Sequence, residues 1–101
     1  MATYAISFEI KSDATYNVRY QSLMRQIHLC SSVWAETTSF ALVQSVESLA
    51  ALELRLFTRS QISHLTDKLL VLNVSNLPGV FRGFNTMPLT LGALMPLVVQ
   101  T

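Results

Sequence analysis

Residues 3–10 alternate in polarity, with Tyr4, Ile6, Phe8 and Ile10 on one side and Ala5, Ser7 and Glu9 on the other. A period of two is that of a strand with one buried face. The polar segment 11–15 follows, in which Asp13 or Thr15 can cap a helix. Val18, Leu23, Ile27 and Cys30 then recur at near-helical spacing, so a helix is expected over about residues 16–29.

Residues 33–44 are rich in valine, tryptophan, threonine and phenylalanine, side chains that suit a pleated surface. The segment either forms a hairpin turning at Glu36, Thr37, Thr38 and Ser39, or runs as a short strand into a longer one from Thr38 to Gln44. From Ser45 onward, Val46, Leu49, Leu52 and Leu56 mark a helical stripe, with Ser45 as cap and the end near Phe57. Asp67 and Lys68 introduce a continuous apolar run, Leu69 to Val74, stopped by Ser75, Asn76, Pro78 and Gly79; this reads as a buried strand.

The order strand, helix, strand, strand, helix, strand predicts an α+β, ferredoxin-like βαββαβ domain over residues 1–76. Its four-stranded antiparallel sheet would carry two helices on one face. Residues 77–101 form a C-terminal extension that holds all three prolines and all three glycines, and an irregular path is expected there. The extension is nonetheless apolar, so it should pack on its own domain or on a dimer partner, and it is the expected dimer-forming element.

Composition sharpens this picture. The chain has 101 residues and a net charge of +1, with 50% hydrophobic and only 13% charged residues. So few charges leave apolar surface that a second copy would cover, most simply as a two-fold homodimer. Cys30 is alone and cannot form an intrachain disulfide, and no charged-plus-apolar leader precedes Ser7, which points to a cytoplasmic protein. The apolar segment 87–99 is broken by Pro88, Gly92 and Pro96 and falls short of the ~20 residues that cross a bilayer, so no membrane partner is expected. The near-neutral balance leaves no broad basic field, and RNA or DNA would have to be met by a local patch.

The chemistry-bearing residues are few. Gly79, Gly83 and Gly92 lack the spacing of a phosphate-binding loop, and one cysteine with two distant histidines, His28 and His64, cannot complete a structural zinc site. His28 and Cys30 are two residues apart, where helix geometry separates side chains, and Cys30 reads as a small buried hydrophobe. Glu9 closes the first strand with Asp13 four residues on. Such carboxylates, doubled across a two-fold axis, suit a hydrated magnesium ion and metal-assisted phosphodiester hydrolysis; the plainer reading makes Glu9 an exposed strand residue and Asp13 a helix cap. Lys11 and Arg19 lie beside this strand end and are the candidate nucleic-acid contacts, or else ordinary solubilising charges. Trp34 and Phe40 could stack on a base, but at strand spacing they read as core.

Several strings resemble the small CRISPR-associated Cas-two proteins and, more closely, their stand-alone SinR-like relatives. These are Tyr4-Ala5-Ile6-Ser7-Phe8-Glu9-Ile10, the helix over 16–27, the strand region 34–44, Asp67-Lys68-Leu69-Leu70-Val71-Leu72, and Phe81-Arg82-Gly83-Phe84. The resemblance spans about residues 3–84. It implies a ferredoxin-like homodimer whose C-terminal segment adds to the partner's sheet, and a metal-dependent endonuclease activity on RNA or DNA in some members. Phe8 and Glu9 stand where the family has a tyrosine-like residue and the aspartate that holds the metal, which makes Glu9 the implied catalytic and magnesium-binding residue. A glutamate pair needs a different carboxylate spacing from an aspartate pair. The alternative is a catalytically inactive homologue that serves as a protein- or nucleic-acid-binding dimerisation module.

Overall fold

The computed structural model describes residues 1–101. The protein is α+β. In chain order the elements are β1 (Ala2–Glu9), α1 (Tyr16–Ile27), β2 (Ser32–Trp34), β3 (Phe40–Ser45), α2 (Leu49–Thr58), β4 (Lys68–Asn73), β5 (Gly79–Phe81), α3 (Pro88–Leu94) and β6 (Val98–Gln100). The first four strands form one antiparallel sheet in the order β2-β3-β1-β4, compatible with a ferredoxin-like fold.

The strand alternation in β1 decides what each sheet face holds. Tyr4, Ile6, Phe8 and Ile10 pack with Ala41 and Val43 against Leu23 and Ile27 of α1 and Leu52 and Leu56 of α2, which forms the larger core. Ala5, with Leu42 and Trp34, faces the other way and is buried too, under Leu91, Leu94 and Met95. The C-terminal residues thus fold back over the far face of their own sheet, as a third layer.

That layer differs from the expected irregular path. Pro88 sits in the first turn of α3, where a missing N–H costs nothing, and burial of Leu91 and Leu94 holds this short helix in place. β5 and β6 pair in parallel, Gly79 with Val98, so closely that a side chain at Gly79 would meet Val98 at 3.2 Å. The tail is fastened to the β2–β3 hairpin by Glu36, whose carboxylate accepts from the Thr86 amide and hydroxyl. Trp34 is core. Its Nε1 donates to Asn85 at 3.1 Å and its ring meets Phe81 edge-on at 5.7 Å.

Three further expectations are resolved by the structure. The hairpin alternative holds for the middle segment, with Ser39 in the left-handed region at φ 61°. α2 begins at Ser48 and not at Ser45: the Ser48 side chain accepts from the Ala51 amide, while the Ser45 hydroxyl serves Glu47. β4, expected to be buried, is an edge strand in which only Val71 is buried. No helix is long and apolar enough to cross a membrane.

Candidate functional site

The loop from β1 to α1 and the turn into β4 converge on one carboxylate. Asp67 Oδ1 accepts from the Lys11 amide at 3.0 Å and Oδ2 from the Ser63 amide at 2.9 Å. Arg19 enters from α1, and its Nη1 lies 2.5 and 2.7 Å from the two Asp67 oxygens. The rest of the guanidinium is also used, by Asp13 Oδ1 at 2.5 Å, the Lys11 carbonyl at 3.0 Å and the Thr15 hydroxyl at 3.1 Å. Arg19 is therefore an internal ion-pair partner, with 8% of its side chain exposed, and not a surface cation.

Burial raises the Asp67 carboxyl pKa, but the Arg19 hydrogen bonds, the Ser63 and Lys11 amides and the Arg19 charge outweigh it and bring it down to about 2. Asp13 is likewise lowered, chiefly by Arg19, and it also accepts from the Thr15 amide and hydroxyl. The sequence reading placed Asp13 beside Glu9 as a second metal ligand. In the structure its carboxylate closes the loop onto Arg19, and Thr15 stands at the N-cap with no side-chain capping bond of its own.

Glu9 lies outside this cluster. Its side chain is 74% exposed, and its one ion-pair partner is Lys68 across the strands at 3.6 Å, itself 79% exposed. The Lys11 side chain is exposed as well. The structure therefore joins Asp13, Arg19 and the Lys11 backbone around Asp67 and leaves the Glu9 carboxylate exposed at the surface, against Lys68 alone. No three His, Cys, Asp or Glu side chains come together as a metal-holding group.

Two apolar features lie on the far side of the sheet. A cavity of about 370 Å³ opens between the sheet and the tail, lined by Trp34, Phe40, Leu42, Val80, Phe81 and Met95 among others. Beside it, β4 leaves Leu70 and Leu72 about half exposed at the sheet's open edge. On the helical side, Cys30 touches Arg55, which is paired with Glu47, and burial pushes its thiol up despite the cation. A raised thiol is a poor nucleophile at neutral pH.

No protein-family model, curated protein or solved structure matches the chain.

Asp67 is the residue that sequence reasoning missed. It was legible only as a turn residue ahead of a strand, because its partners Lys11 and Arg19 lie about fifty residues away. The one available signal was a carboxylate placed, with Lys68, just ahead of an apolar run, a position that helix and strand periodicity leave unexplained.

Proposed function

We propose that this chain is a ferredoxin-like protein of the Cas-two and SinR-like kind that works as a non-catalytic interaction module. The observation that carries the reading is the bare β4 edge, where an unpaired strand presents Leu70 and Leu72. Soluble proteins ordinarily protect such an edge with charge, proline or a covering element, so an edge left apolar is suited to pairing with another chain. The commitment of Asp13 to Arg19 supports the same reading, since it takes away the second carboxylate that a metal-dependent nuclease centre would use.

A nuclease remains the second reading, favoured by Glu9. Its carboxylate is exposed and held only by Lys68 at 3.6 Å, so a hydrated magnesium ion can reach it, and two copies could bring two such carboxylates together. One experiment separates the two: incubation of the purified protein with labelled single-stranded RNA and double-stranded DNA, with and without magnesium or manganese, alongside Glu9→Ala. The expected result is no metal-dependent cutting by either protein. Cutting that is lost in Glu9→Ala would replace the interaction reading with the nuclease.

A further inference from the structure

The partner that fits the β4 edge is a second copy of this chain, and the inference rests on the interaction reading above. The Val74 amide donates to the Thr3 carbonyl at 2.9 Å. In an antiparallel ladder bonded pairs alternate, so Leu72 with Ala5, Leu70 with Ser7 and Lys68 with Glu9 bond in the same manner. Leu69, Val71 and Asn73 therefore turn their N–H and C=O groups outward, to the open edge.

We propose that two copies join β4 to β4 about a two-fold axis through Val71, extending the two sheets into one. An axis normal to the sheet keeps each face on its own side, so only same-face residues can oppose one another. Centred on Val71, the pairing bonds Val71 to itself and Leu69 to Asn73 of the second copy, which satisfies every outward backbone group of the strand. Axes through Leu70 or Leu72 leave Asn73 or Leu69 unpaired. The same register sets Leu70 against Leu72 of the second copy in the close, non-bonded positions. These side chains, 55% and 48% exposed in the single chain, then cover each other.

Charge permits this arrangement. Lys68 is the only charged residue of β4. The two-fold axis sends the two copies of Lys68 to opposite ends of the ribbon, and each keeps its own Glu9 at 3.6 Å. The strand has no proline, and its register with β1 runs without a bulge, so of the usual blocks to edge pairing only the terminal Lys68 is present. The other sheet edge, β2, has three residues and offers far less. A ribbon of six residues, about 20 Å long, is a small interface, so the dimer should depend on concentration.

The test uses the full chain with Cys30→Ala as background. Leu70→Cys combined with Leu72→Cys should give a reducible dimer on mild oxidation. Either cysteine alone should not, because 70-to-70 and 72-to-72 are diagonal neighbours beyond disulfide reach. Light scattering should show about twice the 11.3 kDa chain mass at high concentration. The doubled mass should persist in Leu70→Glu/Leu72→Lys, where opposite charges face, and be lost in Leu70→Lys/Leu72→Lys, with circular dichroism confirming that both are folded. A dimer that cross-links through a single cysteine, or through none of these, overturns this register and leaves the interaction reading standing. A chain that stays monomeric at every concentration overturns the inference itself, whereas failure of the interaction reading shows independently, as Glu9-dependent cutting.

Discussion

Nη1 of Arg19 lies 2.5 Å from Oδ1 and 2.7 Å from Oδ2 of Asp67, joining α1 to the residue that enters β4. The Asp67 side chain is 1% exposed. Removing one member of a buried pair strands the other charge, which typically costs 3–5 kcal/mol. Asp67→Ala should therefore destabilise the protein by about 3 kcal/mol, since it also frees the Lys11 and Ser63 amides, and thermal melts followed by circular dichroism would measure it. Arg19→Met with Asp67→Leu, which removes both charges, should lose less than Asp67→Ala alone.

The same carboxylate sets a pH dependence. Folding lowers the Asp67 pKa to about 2, from an unfolded value near the usual 3.8. The folded state thus binds its proton less readily than the unfolded one, and the stabilisation is complete above about pH 4. It is lost as pH falls from there toward 2. Melting temperatures should drop across that window in the parent, and Asp67→Asn should drop less steeply. Equal slopes for the two proteins would show that other carboxylates govern acid unfolding.

The sequence showed most where burial follows a period. Tyr4, Ile6, Phe8 and Ile10 declared the helix-facing side of β1, and Leu52 and Leu56 declared the inner stripe of α2. Leu69 to Val74 did not declare an edge, because an unbroken apolar run looks alike whether both of its faces are covered or one is open. The tail misled for the opposite reason: local breakers at Pro88 and Gly92 argued against a helix that tertiary burial of Leu91 and Leu94 nevertheless holds. The candidate site was the least legible part. Whether Asp13 serves a cation or Arg19 depends on Asp67, a contact across forty-eight residues that no local pattern carries.

Capping of α2 gives a smaller, sharper prediction. The Ser48 side chain accepts from the Ala51 amide at 3.2 Å, with the Ser48 backbone extended as an N-cap requires. Ser48→Ala should cost about 1 kcal/mol, whereas Ser48→Asn should be close to neutral. Denaturant unfolding with unchanged m-values would measure both. If Ser48→Ala melts like the parent, the helix start is held by Leu52 packing alone.

The tail makes the most visible prediction, because Trp34 is the chain's single tryptophan and lies beneath it. Leu94 is 2% exposed and packs in the core cluster with Trp34, Leu42 and Ala5. Leu94→Ala should cost about 3 kcal/mol through lost burial and the space left behind. Deleting residues 86–101 removes α3 and β6 together and also frees the Glu36 carboxylate from Thr86. Ala5, Leu42 and Trp34 would then face water across the far side of the sheet, as an apolar patch that soluble proteins seldom tolerate. The truncated protein should show red-shifted tryptophan emission, bind hydrophobic dyes and aggregate, while Leu94→Ala stays folded with near-parental emission. A truncated chain that remains soluble with Trp34 emission unchanged would mean that β5 and the Phe81 ring suffice to cover the face, leaving α3 with no part in the core.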